Sequence, residues 1–220
     1  MDKNKIYWFD MDHTLINNDC DVSWKNFMIS EKLAEKSATE LMAAKFFADY
    51  RNGTLDMAEF MNFQLREFIG QTVEKMAQLS QKHFDLMVKP LFYTSALETI
   101  RKVHFCGARC AIVTSTNEVI ARPAADYLGI KELFAPKLET VNNKYTGRLA
   151  ESYTTGHSKV TVMEKYCKMY NVDPQDIVYY GDSINDCFIM EKTGTAIAVN
   201  PDDKLRKKAL ENSWQIIEFR

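Results

Sequence analysis

Two carboxylates, Asp10 and Asp12, follow the short apolar run Lys5 to Phe9 near the start of the chain. A second apolar run, ending at Ile112 and Val113, opens onto the hydroxyls of Thr114, Ser115 and Thr116. A third ends at Tyr180 and Gly181 and is followed by Asp182, Ser183, Ile184, Asn185 and Asp186. Lys159 opens the helical pattern that leads into that third run. These residue types suit phosphoryl transfer. A carboxylate that attacks phosphorus forms an aspartyl phosphate and splits one slow hydrolysis into two easier displacements. The two anions repel, and magnesium answers by taking hard oxygen ligands from carboxylates and bridging them to the phosphate. A lysine, a hydroxyl such as Thr114 and amides at a helix N-terminus take up charge on the equatorial oxygens.

Each piece alone has an ordinary reading. An isolated Asp-x-Asp is most often a solvated turn. Thr114 ahead of a helix is what an N-cap asks for, and Asp182 with Asp186 suits a helix start. Lysines on helices are usually solvated. The ordered combination tips the balance. At average composition a DxDxT pattern arises in roughly 3% of chains this long, and pairing it with GDxxxD is about a one-in-a-thousand coincidence.

The elements that must hold these residues are read from periodicity. Strands are expected at Lys5 to Phe9, Cys110 to Val113, Asp176 to Tyr180, Thr195 to Val199 and Gln215 to Glu218, each a short run rich in apolar residues. Helices are expected at Thr94 to His104, Asn117 to Leu128, Ser158 to Tyr170, Ile184 to Lys192 and Asp202 to Glu211. Lys137 to Leu149 reads as a hairpin turning at Asn142 and Asn143. Strand and helix alternation predicts a Rossmann-like α/β core, a parallel sheet between two helical layers. Residues 17–88 differ in texture, having no proline and apolar residues at helical spacing. They predict a helical cap inserted after the first strand of a core formed by residues 1–16 and 89–220. In a parallel sheet, ligands collect at the carboxyl ends of the strands, which is where the three polar clusters fall.

With 220 residues, 46% of them hydrophobic, the chain can bury one substantial core. A net charge of −2 with both signs dispersed provides no field for gathering nucleic acid. No apolar stretch approaches the roughly 18 residues of a membrane span, so no stable membrane insertion is expected. The five cysteines, without CxxC spacing, read as free thiols, and a cytoplasmic location follows from that reading. The four histidines are dispersed without transition-metal spacing.

The motifs FDMDHTL, Thr114 after Ala111-Ile112-Val113, Lys159, and GDSIND resemble the four motifs of the haloacid dehalogenase superfamily, in its phosphoserine phosphatase-like group. The resemblance spans nearly the whole chain, and the helical block sits where that family carries a cap. It implies a magnesium-dependent phosphomonoester hydrolase with Asp10 as nucleophile and metal ligand. Asp12 would protonate the leaving oxygen, activate water and offer its backbone carbonyl to the metal. Thr114 and Lys159 would hold the phosphate, Asp182 would bind the metal, and Asp186 would steer the metal or its waters. Ser115 and Asn185 complete the expected substrate-binding set, and Asp19 stands where those phosphatases place an acid that receives the substrate amine. Arg51 and Arg66 are candidate carboxylate grips in the cap, Trp24 a candidate aromatic face, and His13 a candidate leaving-group contact. The second motif departs from the family, reading Thr114-Ser115-Thr116 where phosphoserine enzymes carry a serine and two glycines. The expected substrate is therefore a small phosphorylated metabolite, phosphoserine or a related amine-bearing ester. Transfer to an alcohol acceptor and hydrolysis of a lipid phosphate are the alternatives.

Overall fold

Tyr7 and Phe9 pack on one side of the first strand and Ile6 and Trp8 on the other, which is why the run is apolar at every position instead of alternating. This is seen in the computed structural model, which describes the backbone of residues 1–52, 54, 56–150 and 157–220, and their side chains except at 47, 50, 51, 52 and 57. Arg51, as a side chain, and Gly53 fall outside the described residues.

The strands are β1 (Ile6–Phe9), β2 (Arg109–Val113), β3 (Glu132–Phe134), β4 (Leu138–Val141), β5 (Lys144–Leu149), β6 (Ile177–Gly181), β7 (Thr195–Val199) and β8 (Gln215–Ile217). Six form a sheet in the order β3-β2-β1-β6-β7-β8, and each pairing is parallel. The chain winds from β1 toward β3 on one side and from β6 toward β8 on the other. The direction therefore reverses between β1 and β6, leaving a crevice at their carboxyl ends. Register sharpens this: Phe9 lies beside Ile112 on β2 and Tyr180 on β6. The residues that follow, Asp10, Val113 and Gly181, emerge at one level.

Helices α1 (Cys20–Ser30), α2 (Lys36–Asn52), α3 (Met57–Leu65), α4 (Val73–His83) and α5 (Thr94–Phe105) lie in the chain between β1 and β2. After β2 come α6 (Glu118–Tyr127), α7 (His157–Tyr170), α8 (Cys187–Met190) and α9 (Asp203–Glu211). Residues of α5 and α6 share the Tyr7–Phe9 cluster, and residues of α7, α8 and α9 share the Ile6–Trp8 cluster. The result is the three-layer α/β/α arrangement expected.

Two differences from the expected elements have local causes. The three residues of β3 are each only half-buried, so the strand leaves no apolar run to read. The helix expected from Ile184 to Lys192 is a 3₁₀ turn, Ile184–Asp186, followed by the short α8. The Asp186 carboxylate accepts the amides of Asp182 and Ser183, at 3.2 and 3.3 Å, and this capping tightens the first turn.

The helical block meets the core at two places where backbone groups would otherwise lack partners. Pro123, inside α6, has no N–H to give the carbonyl of Val119 one turn earlier. The Ser80 hydroxyl of α4 supplies that bond at 2.5 Å. The β4–β5 hairpin turns at Asn142 and Asn143, with φ of 49° and 62°, the left-handed pair that a tight two-residue turn requires. Its edge then pairs with the chain entering α4, as Tyr145 N–H donates to Gln71 O at 2.9 Å and Gly70 N–H to Tyr145 O at 2.8 Å. Trp24 is buried and stacks on Phe68 at 5.6 Å, so its ring is spent on packing inside the block. Among the described residues, no helix is long and apolar enough to cross a membrane, and all five cysteines are free thiols.

Candidate active site

Asp10 extends β1 by one hydrogen bond, its N–H donating to Tyr180 O at 2.8 Å, so the nucleophile candidate is fixed to the neighbouring strand. Beyond it the chain folds back sharply. Leu15 N–H returns to Met11 O at 2.9 Å, and His13 takes the left-handed conformation with φ 56°. His13 is exposed at the tip of this loop, whereas Thr14 points inward and donates to Asp182 Oδ1 at 3.0 Å. The first and third polar clusters are thereby joined across 168 residues.

Lys159, only 5% exposed, is the hub. Its Nζ donates to Asp10 Oδ1 at 2.6 Å, Asp186 Oδ1 at 2.7 Å and the Tyr179 hydroxyl at 3.1 Å. The Tyr179 hydroxyl in turn donates to Asp186 Oδ1 at 2.8 Å. Asp186 thus accepts on both oxygens, from Lys159 and Tyr179 on one and from the amides of Asp182 and Ser183 on the other. Its place is to orient the cluster. Gly181 makes room for it: a Cβ there would stand 2.6 Å from Asp186 Oδ2. Gly181→Ala is expected to displace that carboxylate and weaken divalent-cation affinity by about 10- to 100-fold. Calorimetric titration with the cation, beside an unchanged circular-dichroism spectrum, checks this.

Carboxylate oxygens of Asp10, Asp182 and Asp186 lie within 4.8 Å of one another. Three acids therefore face one ammonium, and burial shows the strain. Burial, with a smaller contribution from Asp186, raises the Asp10 carboxyl to about 6 against the pull of Lys159. Burial, then Asp10 and Asp186, push Asp182 to about 9. Burial alone would depress the Lys159 ammonium, but Asp10 and Asp186 reverse this and hold it well above its ordinary value. An all-oxygen, over-anionic donor set of this kind fits a hard divalent cation. Held there by Asp10, Asp182 and Asp186, such a cation would supply positive charge that favours the ionised carboxylates.

Asp12 is held apart from this cluster. Its Oδ1 accepts the backbone N–H of Cys20, the first residue of α1, at 2.9 Å, and its Oδ2 accepts the Thr116 hydroxyl at 2.6 Å. Burial raises its carboxyl to about 6, the Thr116 bond opposes that rise, and Asp19 and Asp10 add to it. The Asp12 carboxylate is not among the clustered metal-binding oxygens. Thr114 is buried, continues β2 by donating its N–H to Phe134 O at 3.0 Å, and receives the Thr116 amide on its hydroxyl at 3.1 Å. Capping of α6 falls to Asn117, whose side chain accepts Ile120 N–H, so Thr114 is not the N-cap.

Asp19 is exposed and caps α1 by accepting Val22 N–H at 2.9 Å, while its charge reaches Asp12 and Asp21. Ser115 and Asn185 are exposed and make no side-chain hydrogen bond among the described residues. Arg66 is turned into the helical block, bound to Glu67 Oε1 at 2.8 Å and to the Thr39 hydroxyl, and stacked over Phe63. Sequence reasoning missed the parts played by Thr14, Thr116 and Tyr179. A tyrosine in the middle of a doubly covered strand was the available signal, because a buried phenol needs a polar partner.

Comparison with known proteins agrees with this fold. A histidinol-phosphatase from Neisseria meningitidis is 29% identical over 216 residues, covering 96% of this chain and 97% of that one. A protein of unknown function from Bordetella pertussis superposes with a TM-score of 0.88 at 26% identity, over 96% of this chain and 97% of that one. A phosphoserine phosphatase bearing a phospho-aspartyl analogue shares the fold, with a TM-score of 0.67 at 22% identity over 98% of this chain and 93% of that one. The sequence profile of haloacid dehalogenase-like hydrolases matches residues 8–191, so the chain belongs to that family.

Proposed function

We propose that this hydrolase cleaves small, amine-bearing phosphate monoesters through an aspartyl phosphate on Asp10, with magnesium as its cation and the cytoplasm as its setting. The observation that carries this reading is the hub at Lys159, which ties Asp10 to Asp186 while Asp182 stands within reach of the same point and Asp12 is held separately. On this reading one carboxylate attacks and another moves protons, the division of labour that two-step hydrolysis needs.

In the first step an Asp10 oxygen attacks phosphorus and the ester P–O bond breaks, while neutral Asp12 gives its proton to the departing alkoxide. In the second, ionised Asp12 takes a proton from water as the water oxygen attacks the aspartyl phosphate. The bond to Asp10 breaks, phosphate leaves, and Asp12 is neutral again. Lys159 and Thr114 neutralise and orient the phosphoryl oxygens. Magnesium held by Asp10, Asp182 and the Asp12 backbone carbonyl, with Asp186 orienting them, would shield the negative charges that must meet. Residues 17–88 serve as a cap that excludes water from the crevice.

Two observations support an amine-bearing substrate. The relative named histidinol-phosphatase matches along 96% of this chain. In addition, Asp19 brings negative charge beside Asp12, while Arg66 and Lys25, cations of the block, are both engaged by Glu67. A carboxylate such as that of phosphoserine would find neither of these free.

The test is magnesium-dependent phosphate release from a panel of phosphorylated amino alcohols, phosphoserine, sugar phosphates and a lipid phosphate, with and without a competing alcohol. Amino-alcohol esters should lead in kcat/KM by about tenfold or more, the ~1.4 kcal/mol of one charge-assisted contact. Equal rates across the panel would remove the amine preference, and phosphoryl transfer to the alcohol in place of water would make the enzyme a transferase.

A further inference from the structure

We propose that Thr116 is the positioning residue that aims Asp12, through the bond from its hydroxyl to Asp12 Oδ2; this rests on the role of Asp12 given above. Asp12 is gripped from two sides, and the two grips differ in kind. The Cys20 amide at Oδ1 is a donor and nothing else, so that oxygen remains an acceptor throughout the cycle. The Thr116 hydroxyl at Oδ2, 2.6 Å away, can donate or accept. The proton that Asp12 gives and regains is thereby assigned to Oδ2, and Thr116 can satisfy that oxygen in both states.

Thr116 is itself well fixed. It is 2% exposed, and its backbone N–H donates to the Thr114 hydroxyl at 3.1 Å. One turn after β2 thus sets the directions of a phosphate-side hydroxyl and of the proton carrier. A misaimed carboxylate would spare substrate binding and slow the steps in which a proton moves, since proton transfer demands hydrogen-bond distance to the reacting oxygen.

The experiment compares the wild type with Thr116→Val, close in shape but without the hydroxyl, and with Thr116→Ser, which keeps it. Two substrates are used: the best alkyl phosphate of the panel and p-nitrophenyl phosphate, whose phenolate departs without a proton. Thr116→Val should lower kcat for the alkyl ester by about 10²-fold with little change in KM. With the aryl ester it should give a rapid burst of nitrophenolate, then slow turnover, because forming the aspartyl phosphate no longer needs Asp12 while water attack still does. Thr116→Ser should restore most of both rates. Thr116→Ala should behave as Thr116→Val does, should the valine disturb the turn. Wild-type rates in Thr116→Val, equal losses on both esters without a burst, or a serine variant as impaired as the valine one would overturn the assignment. A wild type inactive on both esters would instead overturn the phosphatase reading beneath it.

Discussion

Asp10→Asn is expected to reduce turnover by at least about 10⁴-fold, the scale of losing an enzyme nucleophile. It should also abolish the phosphorylated protein that acid quenching of the wild type traps for mass spectrometry. The fold should not suffer. The side chain is nearly isosteric, and Lys159 keeps its bonds to Asp186 and Tyr179. The sign of the stability change is itself informative. Burial, with Asp186 beside it, raises the Asp10 carboxyl from its usual 3.8 to about 6. The folded state therefore holds a proton there that the unfolded chain releases, so this group costs stability progressively as pH rises from about 4 to about 6. Above that window, in chelator, Asp10→Asn should melt no lower than the wild type, and higher if the cation-free cluster repels as the geometry implies. With magnesium the order should reverse, because the wild type gains ligand stabilisation and the variant lacks one donor. A variant inactive because it is unfolded would instead melt low in both conditions.

How far the chain could be read beforehand depended on whether a feature was local. The proposed nucleophile and its partners stand at the ends of β1, β2 and β6, where continuous apolar runs stop abruptly at Asp10, Thr114 and Asp182. Such strands are visible because burial on both faces removes the alternation that would mimic a surface strand. Lys159 could be chosen from its position at the start of α7. Strand β3 could not, being short and half-buried, and neither could the contraction of the expected helix at Ile184, which depends on the Asp186 carboxylate folding back onto two amides. Thr116 and Tyr179 acquire their roles only when chain segments 104 and 20 residues away arrive beside them. The same holds for Ser80, which answers a carbonyl that Pro123 orphaned in a different helix. Spacing along one chain reports side chains that share an element. It is silent about partners supplied from elsewhere.

The largest stability effect is expected at a pair the sequence also concealed. Lys25 on α1 and Glu67, just beyond α3, are both buried and meet at 2.5 Å. The ammonium also donates to the carbonyls of Phe63 and Gln64, at 2.6 and 3.1 Å, and lies 4.4 Å above the Phe63 ring. Burial lowers the Lys25 pKa, and Glu67 is the main influence opposing that shift. Glu67→Ala would leave a buried cation without its buried counter-charge and would free Arg66 from its partner, so it should cost about 3–5 kcal/mol. The paired replacement Lys25→Met with Glu67→Leu removes both charges and should recover most of that loss, since well-packed apolar groups often replace a buried pair at no cost. Urea unfolding of Lys25→Met, Glu67→Leu and the double variant closes the cycle, with Glu67→Ala measured beside them. A loss below about 1 kcal/mol in Glu67→Ala would mean that water reaches the pair in solution. There is a link to catalysis as well. The helix that carries Lys25 begins at Cys20, whose amide holds Asp12 Oδ1. Slackening α1 should therefore slow alkyl-ester turnover even below the melting transition, and the double variant should regain that activity along with its stability.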